Sequence, residues 1–275
     1  MTKYLTFSVI EIRSATLAPT DADGDGDIDM YVGNYNGYIL YYKNIGTKKK
    51  PVYEKTDSEN PFDAMTRVGF NANIRLFDID QDGDEDMFVG CYQRGTITFY
   101  KNTGNSTSPV YELTTGSDNP FDGVIVDGGR SASLEPFDMN NDGKMDFLIG
   151  NYIGTIQYFE QVGNDVHAPV FEEKKGDANP FQNMDCGDRS NPKAVDWDND
   201  GDLDVFVGGN QDLIYYFENT GSVMNPVFTL RTGLNDPFNN LDVVRQTVWE
   251  RYLQVAGTHM AIFDVDDDGD LDMVG

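Results

Sequence analysis

A run of alternating acids, "DIDQDGDEDMFVG" at Asp78–Gly90, recurs as "DADGDGDIDMYVG" from Asp21, "DMNNDGKMDFLIG" from Asp138, "DWDNDGDLDVFVG" from Asp196 and "DVDDDGDLDMVG" from Asp264. The start-to-start spacings are 57, 60, 58 and 68 residues. Self-similarity at such a period marks a repeat architecture, in which each unit buries its apolar face against the next. The segments downstream of each acidic run repeat as well. An aromatic segment comes first, "YILYYKNIG" at Tyr38, "TITFYKNTG" at Thr96, "TIQYFEQVG" at Thr155 and "LIYYFENTG" at Leu213. "PVY" or "PVF" then stands at Pro51, Pro109, Pro169 and Pro226, and "NPF" or "DPF" at Pro61, Pro120, Pro180 and Pro237.

Alternating polarity with β-branched and aromatic enrichment identifies strands. Each repeat holds four: one entering the acidic run ("NIRLFD"), one leaving it ("DMFVG"), the aromatic segment and the "PVYE" segment. Four short antiparallel strands at a fixed period describe a blade, and blades set around an axis form a β-propeller, which limits exposed sheet edges. The expected fold class is therefore all-β, a single β-propeller domain over residues 1–275. Its repeats run approximately over 15–71, 72–131, 132–190, 191–257 and 258–275, the last completed in part by residues 1–14. Five blades closed on themselves is the expectation, and a fragment of a six- or seven-bladed propeller is the rival. Residues 241–257 alone carry a pattern compatible with a short helix.

Neighbouring carboxylates repel by about 1 kcal/mol at 4 Å in water and about 4 at an effective dielectric near 20. Five stretches of nine residues nonetheless hold five, six, three, five and six acids, 25 of the 47 Asp and Glu in the chain. Cations among them resolve the repulsion: one divalent ion per loop would bring the net charge from −27 to −17. Side chains at positions 1, 3 and 5 converge, glycine at 6 permits a sharp turn, position 7 offers its main-chain carbonyl and the acid at 9 completes a shell suited to calcium, which takes six to eight oxygens. Lys144 at position 7 of the third loop supports the main-chain role, since its ammonium cannot ligate a cation. An EF-hand would need glutamate at position 12 between two helices, and Val32, Val89, Ile149 and Val207 stand there between strands. Magnesium demands stricter octahedral geometry, and zinc would want His or Cys.

The same charge repels phosphate backbones and anionic membranes, which argues against nucleic-acid partners, and no apolar run is long enough to insert directly in a bilayer. Aromatic residues at 12% and hydrophobic residues at 39% argue against a disordered chain. Cys91 and Cys186 form no disulfide framework and read as free thiols. "MTKYLTFSVIEIRS" reads as a strand, with no signal peptide evident. His167 and His259 lie near no nucleophile signature, so no enzyme is expected. The sequon at Asn105 is compatible with secretion.

The D-x-D-x-D-G-x-x-D loop followed by apolar residues and glycine resembles the FG-GAP or VCBS repeat, the calcium-binding blade unit of integrin α-subunit propellers and of some fungal propeller lectins. The resemblance implies about five Ca2+ sites. Their ligands would be Asp21, Asp23, Asp25, Asp27 and Asp29; Asp78, Asp80, Asp82, Asp84 and Asp86; Asp138, Asn140, Asp142, Lys144 and Asp146; Asp196, Asp198, Asp200, Asp202 and Asp204; and Asp264, Asp266, Asp268, Asp270 and Asp272. In each loop the position-7 residue, Asp27, Asp84, Lys144, Asp202 or Asp270, would act through its carbonyl. Asn140, a neutral oxygen ligand, marks the third site as the weakest.

In a propeller the acidic loops share one face, and the turns between the second and third strands share the opposite one with the blade connections. That opposite face presents Tyr35, Tyr92, Arg94, Tyr152, Arg130 and Arg189, a candidate partner face, since Tyr and Arg are enriched at binding hot spots. The expectation is a secreted or cell-surface adhesion or structural module, calcium-stabilised and non-catalytic, that binds a protein partner and could be part of a larger assembly. A lectin-like propeller binding glycan is the alternative, and a polysaccharide lyase or hydrolase is ranked below both.

Overall fold

The computed structural model describes residues 16–62, 67–165, 167–209, 214–237, 261–263 and 272–274. The first repeat forms β1 (Thr16–Thr20), β2 (Asp29–Gly33), β3 (Ile39–Asn44) and β4 (Tyr53–Lys55). The second forms β5 (Asn73–Phe77), β6 (Asp86–Gly90), β7 (Ile97–Asn102) and β8 (Tyr111–Thr114). The third forms β9 (Ser133–Phe137), β10 (Asp146–Gly150), β11 (Ile156–Gln161) and β12 (Phe171–Lys174). The fourth forms β13 (Asn191–Val195), β14 (Asp204–Gly208), β15 (Ile214–Asn219) and β16 (Phe228–Arg231), and the fifth contributes β17 (Ala261–Phe263) and β18 (Asp272–Val274). Each of the first four sheets is an antiparallel meander in sequence order, with β17 pairing β18 in a two-stranded sheet.

The first strands neighbour one another in turn, β1 with β5, β5 with β9, β9 with β13 and β13 with β17. They are therefore the inner strands, and the four-stranded sheets follow one another as blades of a β-propeller. Sequence spacing predicted five blades closed on themselves; four are four-stranded here. Among the described residues the fifth repeat shows two strands. Its expected completion by residues 1–14, the helix-compatible stretch at 241–257 and His259 lie outside the described residues.

The strands leaving the acidic loops are buried along their whole length. Their last residue is glycine for a steric reason. A Cβ on Gly33, Gly90 or Gly150 would overlap the carbonyl oxygen of Ala72, Ala132 or Ser190, where the chain enters the next blade. The expected result of Gly90→Ala is a loss of about 3 kcal/mol, since backbone cannot yield as a side chain does. Urea denaturation measures it, and an unchanged midpoint would show that β6 and β9 are not held so close.

The "NPF" and "PVY" motifs meet between blades. Asn60, Asn119 and Asn179 donate to the carbonyls of Ile39, Ile97 and Ile156 and accept from the amides of Phe62, Phe121 and Phe181. This clamp aims each phenylalanine at the fourth strand of the following blade. Phe62 stacks on Tyr111 at 4.9 Å, Phe121 on Phe171 at 5.3 Å, and Phe181 lies tilted on Phe228 at 4.8 Å. Buried aromatic pairs of this kind stabilise beyond their area alone. The fourth strands begin after "PV", at Tyr53, Tyr111, Phe171 and Phe228, because proline has no amide to give to the ladder.

At equivalent register on three consecutive inner strands stand Arg75, Glu135 and Lys193. Glu135 Oε2 accepts from Arg75 Nε at 3.3 Å and from Lys193 Nζ at 2.6 Å, and Arg75 Nη2 reaches Asn191 Oδ1 at 3.3 Å. Burial, then the charge of Arg75, pushes Lys193 down to about 8, against the pull of Glu135. Nothing in the repeat signals this cluster, because each blade places a different residue there.

Candidate functional site

Each described acidic loop is a tight turn folded around its own first aspartate. Asp21 accepts from the amides of Gly24 and Gly26, at 2.9 and 3.0 Å. Asp78, Asp138 and Asp196 each accept from the amides at positions 5 and 6 of their loops. The position-7 amide donates in turn to the position-5 aspartate, at 2.9 to 3.2 Å in all four loops. Lys144 joins this pattern through its main chain like the aspartates of the other loops, while its Nζ turns to Asn164 Oδ1. Position 6 has φ between 82° and 98° in all four, which only glycine adopts without strain. Position 4 is also left-handed, in Gly24, Gln81, Asn141 and Asn199.

Carboxylate oxygens of Asp21, Asp23 and Asp25 lie within 4.8 Å of one another, as do those of Asp78, Asp80 and Asp82 and those of Asp196, Asp198 and Asp200. The third loop has Asn140 in place of the middle acid. The fifth loop, Asp264, Asp266, Asp268 and Asp270, lies outside the described residues; Asp272 is described in its backbone as the first residue of β18. Several carboxylate oxygens are enclosed with no hydrogen-bond partner: Asp80 Oδ1, Asp84 Oδ1, Asp86 Oδ2 and Asp202 Oδ1. Burial, followed by the charges of the other loop aspartates, raises the pKa of Asp84 and of Asp202. Spacing alone assigned position 7 a main-chain role; in the second and fourth loops its carboxylate is also turned inward.

The position-9 aspartates open the second strands, and Asp29, Asp86, Asp146 and Asp204 are almost wholly buried. Asp29 Oδ1 accepts from the Asn44 amide at 2.7 Å, and its Oδ2 from the Tyr41 hydroxyl at 2.7 Å and the Ala22 amide at 3.3 Å. Asp146 and Asp204 hold the same bonds from Tyr158 and Tyr216 and from the amides of Gln161 and Asn219. In the second blade Phe99 replaces the tyrosine, so Asp86 keeps only the Asn102 amide, at 2.7 Å. Burial is the main cause that pushes Asp86 up to about 7 and Asp146 up to about 6.

Two lysines on third strands, missed from the sequence, enter the loops. Lys43 Nζ pairs with Asp23 Oδ2 at 2.5 Å, and Lys101 Nζ pairs with Asp80 Oδ2. The signal was "YKN" in repeats 1 and 2 against "FEQ" and "FEN" in repeats 3 and 4. A cleft of about 740 Å3 beside the second loop is lined by Asp80, Lys101, Leu113, His167 and Val170 among others. His167 Nδ1 lies 2.5 Å from the main-chain oxygen of Asp80.

At the other end of the strands, the turns between second and third strands of the first three blades are hydrogen-bonded to the blade connections. Asn71, Ser131 and Arg189 donate their amides to the carbonyls of Tyr35, Tyr92 and Tyr152, and the Tyr152 amide donates to the Arg130 carbonyl. The candidate partner residues divide in two groups. Tyr92 and Tyr152 lie edge to face at 6.0 Å, with the Arg189 guanidinium 5.2 and 5.6 Å from their ring centres and that of Arg130 5.7 Å from Tyr152. Tyr35 packs instead on Phe70, which Arg67 covers, and Arg94 is exposed on its own turn. Cys91 and Cys186 are free and buried.

The fold and the loops together define a propeller of acidic-loop repeats. Residues 78–149 match the FG-GAP-like repeat family, which shows the resemblance read from the loops. Cartilage acidic protein 1 of Xenopus tropicalis is 30% identical over 149 residues, 50% of this chain and 22% of that protein. The match thus spans under a quarter of that relative's length. Among solved structures, an Agrocybe aegerita lectin, described as recognising non-reducing terminal N-acetylglucosamine, aligns over 82% of this chain and 54% of its own, at 18% identity and a TM-score of 0.46.

Proposed function

We propose that this chain is a calcium-stabilised, non-catalytic propeller of the cell exterior that binds a protein partner on the face opposite its acidic loops. One observation carries the calcium reading: three loops gather three carboxylates each within 4.8 Å, and the second and fourth loops also enclose acidic oxygens that no protein donor reaches. An ionised oxygen buried without a donor is costly, and a divalent cation is the group that removes the cost at several oxygens together. The positions that would hold it are the side chains at 1, 3 and 5, with the position-7 residue and the position-9 aspartate around them. Bound there, calcium would supply charge neutralisation and a cross-link between the loop and the second strand.

Loops of this exposed kind suit dissociation constants of about 10⁻⁴ to 10⁻³ M, typical of extracellular modules. Such sites fill only where calcium is plentiful, which supports a location outside the cell. The non-catalytic reading is supported by His167, whose ring nitrogen is engaged by the Asp80 main-chain oxygen, and by Asp29, Asp146 and Asp204, whose carboxylates are taken up in strand-to-strand bonds. No helix among the described residues is long and apolar enough to cross a membrane.

Calorimetric titration with calcium tests the reading. It should show four to five equivalents binding in the submillimolar to millimolar range, and no heat at millimolar supply would sink it. Replacing Lys101 with Met should tighten the second site roughly three- to tenfold, because the ammonium no longer competes for Asp80. Unchanged or weaker binding in that variant would remove Asp80 from the ligand set.

A further inference from the structure

Six arginines fall among the described residues. Arg75 and Arg231 are ion-paired, to Glu135 and Glu218. Arg67, Arg94, Arg130 and Arg189 make no ion pair among the described residues, although the chain carries 47 acids against 20 lysines and arginines. All four sit in turns or connections on the face opposite the acidic loops. Arg189 is the most constrained of them. It is 8% exposed, held at a φ of 64°, and enclosed beside the rings of Tyr92 and Tyr152. Its Nη2 has only a long contact to the Tyr92 hydroxyl, at 3.5 Å, and its Nε and Nη1 have no hydrogen-bond partner. A guanidinium presents five donors in a planar fork that matches a carboxylate, and two of the three nitrogens of this fork are unfilled.

We propose that Arg189 is the anchor of a carboxylate-binding site, and that its ligand is an acidic segment of a partner protein whose glutamate or aspartate side chain inserts beside Tyr92 and Tyr152. The site deepens the partner-face reading above and rests on it. Two features favour a protein segment over an acidic sugar. Arg67, Arg94 and Arg130 extend the positive charge across consecutive blades, matching several acids along an extended chain. Exposed Ile125 and Ile153 stand beside Arg130 and Tyr152 in the same connection and turn, apolar surface that a peptide covers and a sugar does not. The net charge of −27 repels acidic partners in general, so the arginines of this face bias the orientation of approach.

Fluorescein-labelled hexaglutamate, titrated by anisotropy into the full chain at low salt with 1 mM calcium, tests the site. Hexaglutamine and an oligogalacturonate serve as controls. Saturable binding of hexaglutamate alone is expected, weakened at least tenfold in Arg189→Gln and at least threefold in Arg130→Gln. Melting curves of each variant accompany the titrations; if Arg189→Gln does not fold, the exposed Arg130→Gln decides. Binding no better than hexaglutamine, or undiminished in the folded variants, overturns the site, and preference for oligogalacturonate overturns the protein ligand. A calcium-induced melting shift without peptide binding defeats the carboxylate site alone, whereas peptide binding without that shift defeats only the calcium reading.

Discussion

Excess chelator is expected to lower the melting temperature of this protein by about 15–25 °C. At a dissociation constant of about 10⁻⁴ to 10⁻³ M and free calcium tenfold above it, each site adds about 1.4 kcal/mol, and five independent sites add about 7. That rivals the whole stability of an ordinary domain, about 5–15 kcal/mol, and for a chain of this size each kcal/mol moves the midpoint by roughly 2–4 °C. The loops show where the stability is lost. Without a cation, the clustered carboxylates of Asp78, Asp80 and Asp82 lie within 4.8 Å of one another, and among the described residues only Lys101 is ion-paired to them. Thermal scans with millimolar calcium and with EDTA give the measurement; coincident curves would contradict a structural role for the ion. The fourth loop should be the most sensitive, since strand β15 offers it Glu218 where β3 and β7 offer Lys43 and Lys101.

How much of this was legible in the sequence depends on the distance over which each feature acts. The acidic loops were legible because their geometry is local: an acid at every second position and a glycine at the sixth describe a turn by themselves. The four strands per repeat were legible because side-chain alternation is local too. The "NPF" and "PVY" motifs could be seen to recur, but not that Phe62 of one blade meets Tyr111 of the next, because the pairing spans a blade boundary. The terminal glycine of "MFVG" was equally visible and equally mute; the carbonyl of Ala132 that excludes a side chain at Gly90 lies 42 residues on. Arg75, Glu135 and Lys193 left no trace, since a search for repetition passes over positions where the repeats differ. On the partner face, the sequence named the tyrosines and arginines as a group, while the structure gathers Tyr92, Tyr152, Arg130 and Arg189 and sets Tyr35 apart.

The position-9 aspartates give the second large effect, because protons and calcium act on them in opposite senses. Asp86 is pushed up to about 7 and Asp146 up to about 6 in the folded chain, against about 3.9 when unfolded. A carboxyl whose folded pKa lies above its unfolded value binds more protons when folded, so stability falls as pH rises from about 4 to 7. Above pH 7 the penalty is complete, on the order of 3–4 kcal/mol for each. In EDTA the protein should therefore melt higher at pH 5.5 than at pH 8. With millimolar calcium the order should invert, since the ionised carboxylates then face a divalent cation that protons displace. Asp86→Asn separates the two regimes: it removes the buried charge, so it should raise the EDTA melting temperature at pH 8 and weaken the calcium-dependent gain. Asp86 shows the effect best because Phe99 stands where Tyr41, Tyr158 and Tyr216 give the other blades a hydroxyl donor, leaving its Oδ2 without a partner. Were Asp86→Asn to lose stability in EDTA at pH 8, the carboxylate would be a net stabiliser of the blade even without a cation, and its place in the metal shell would have to be given up.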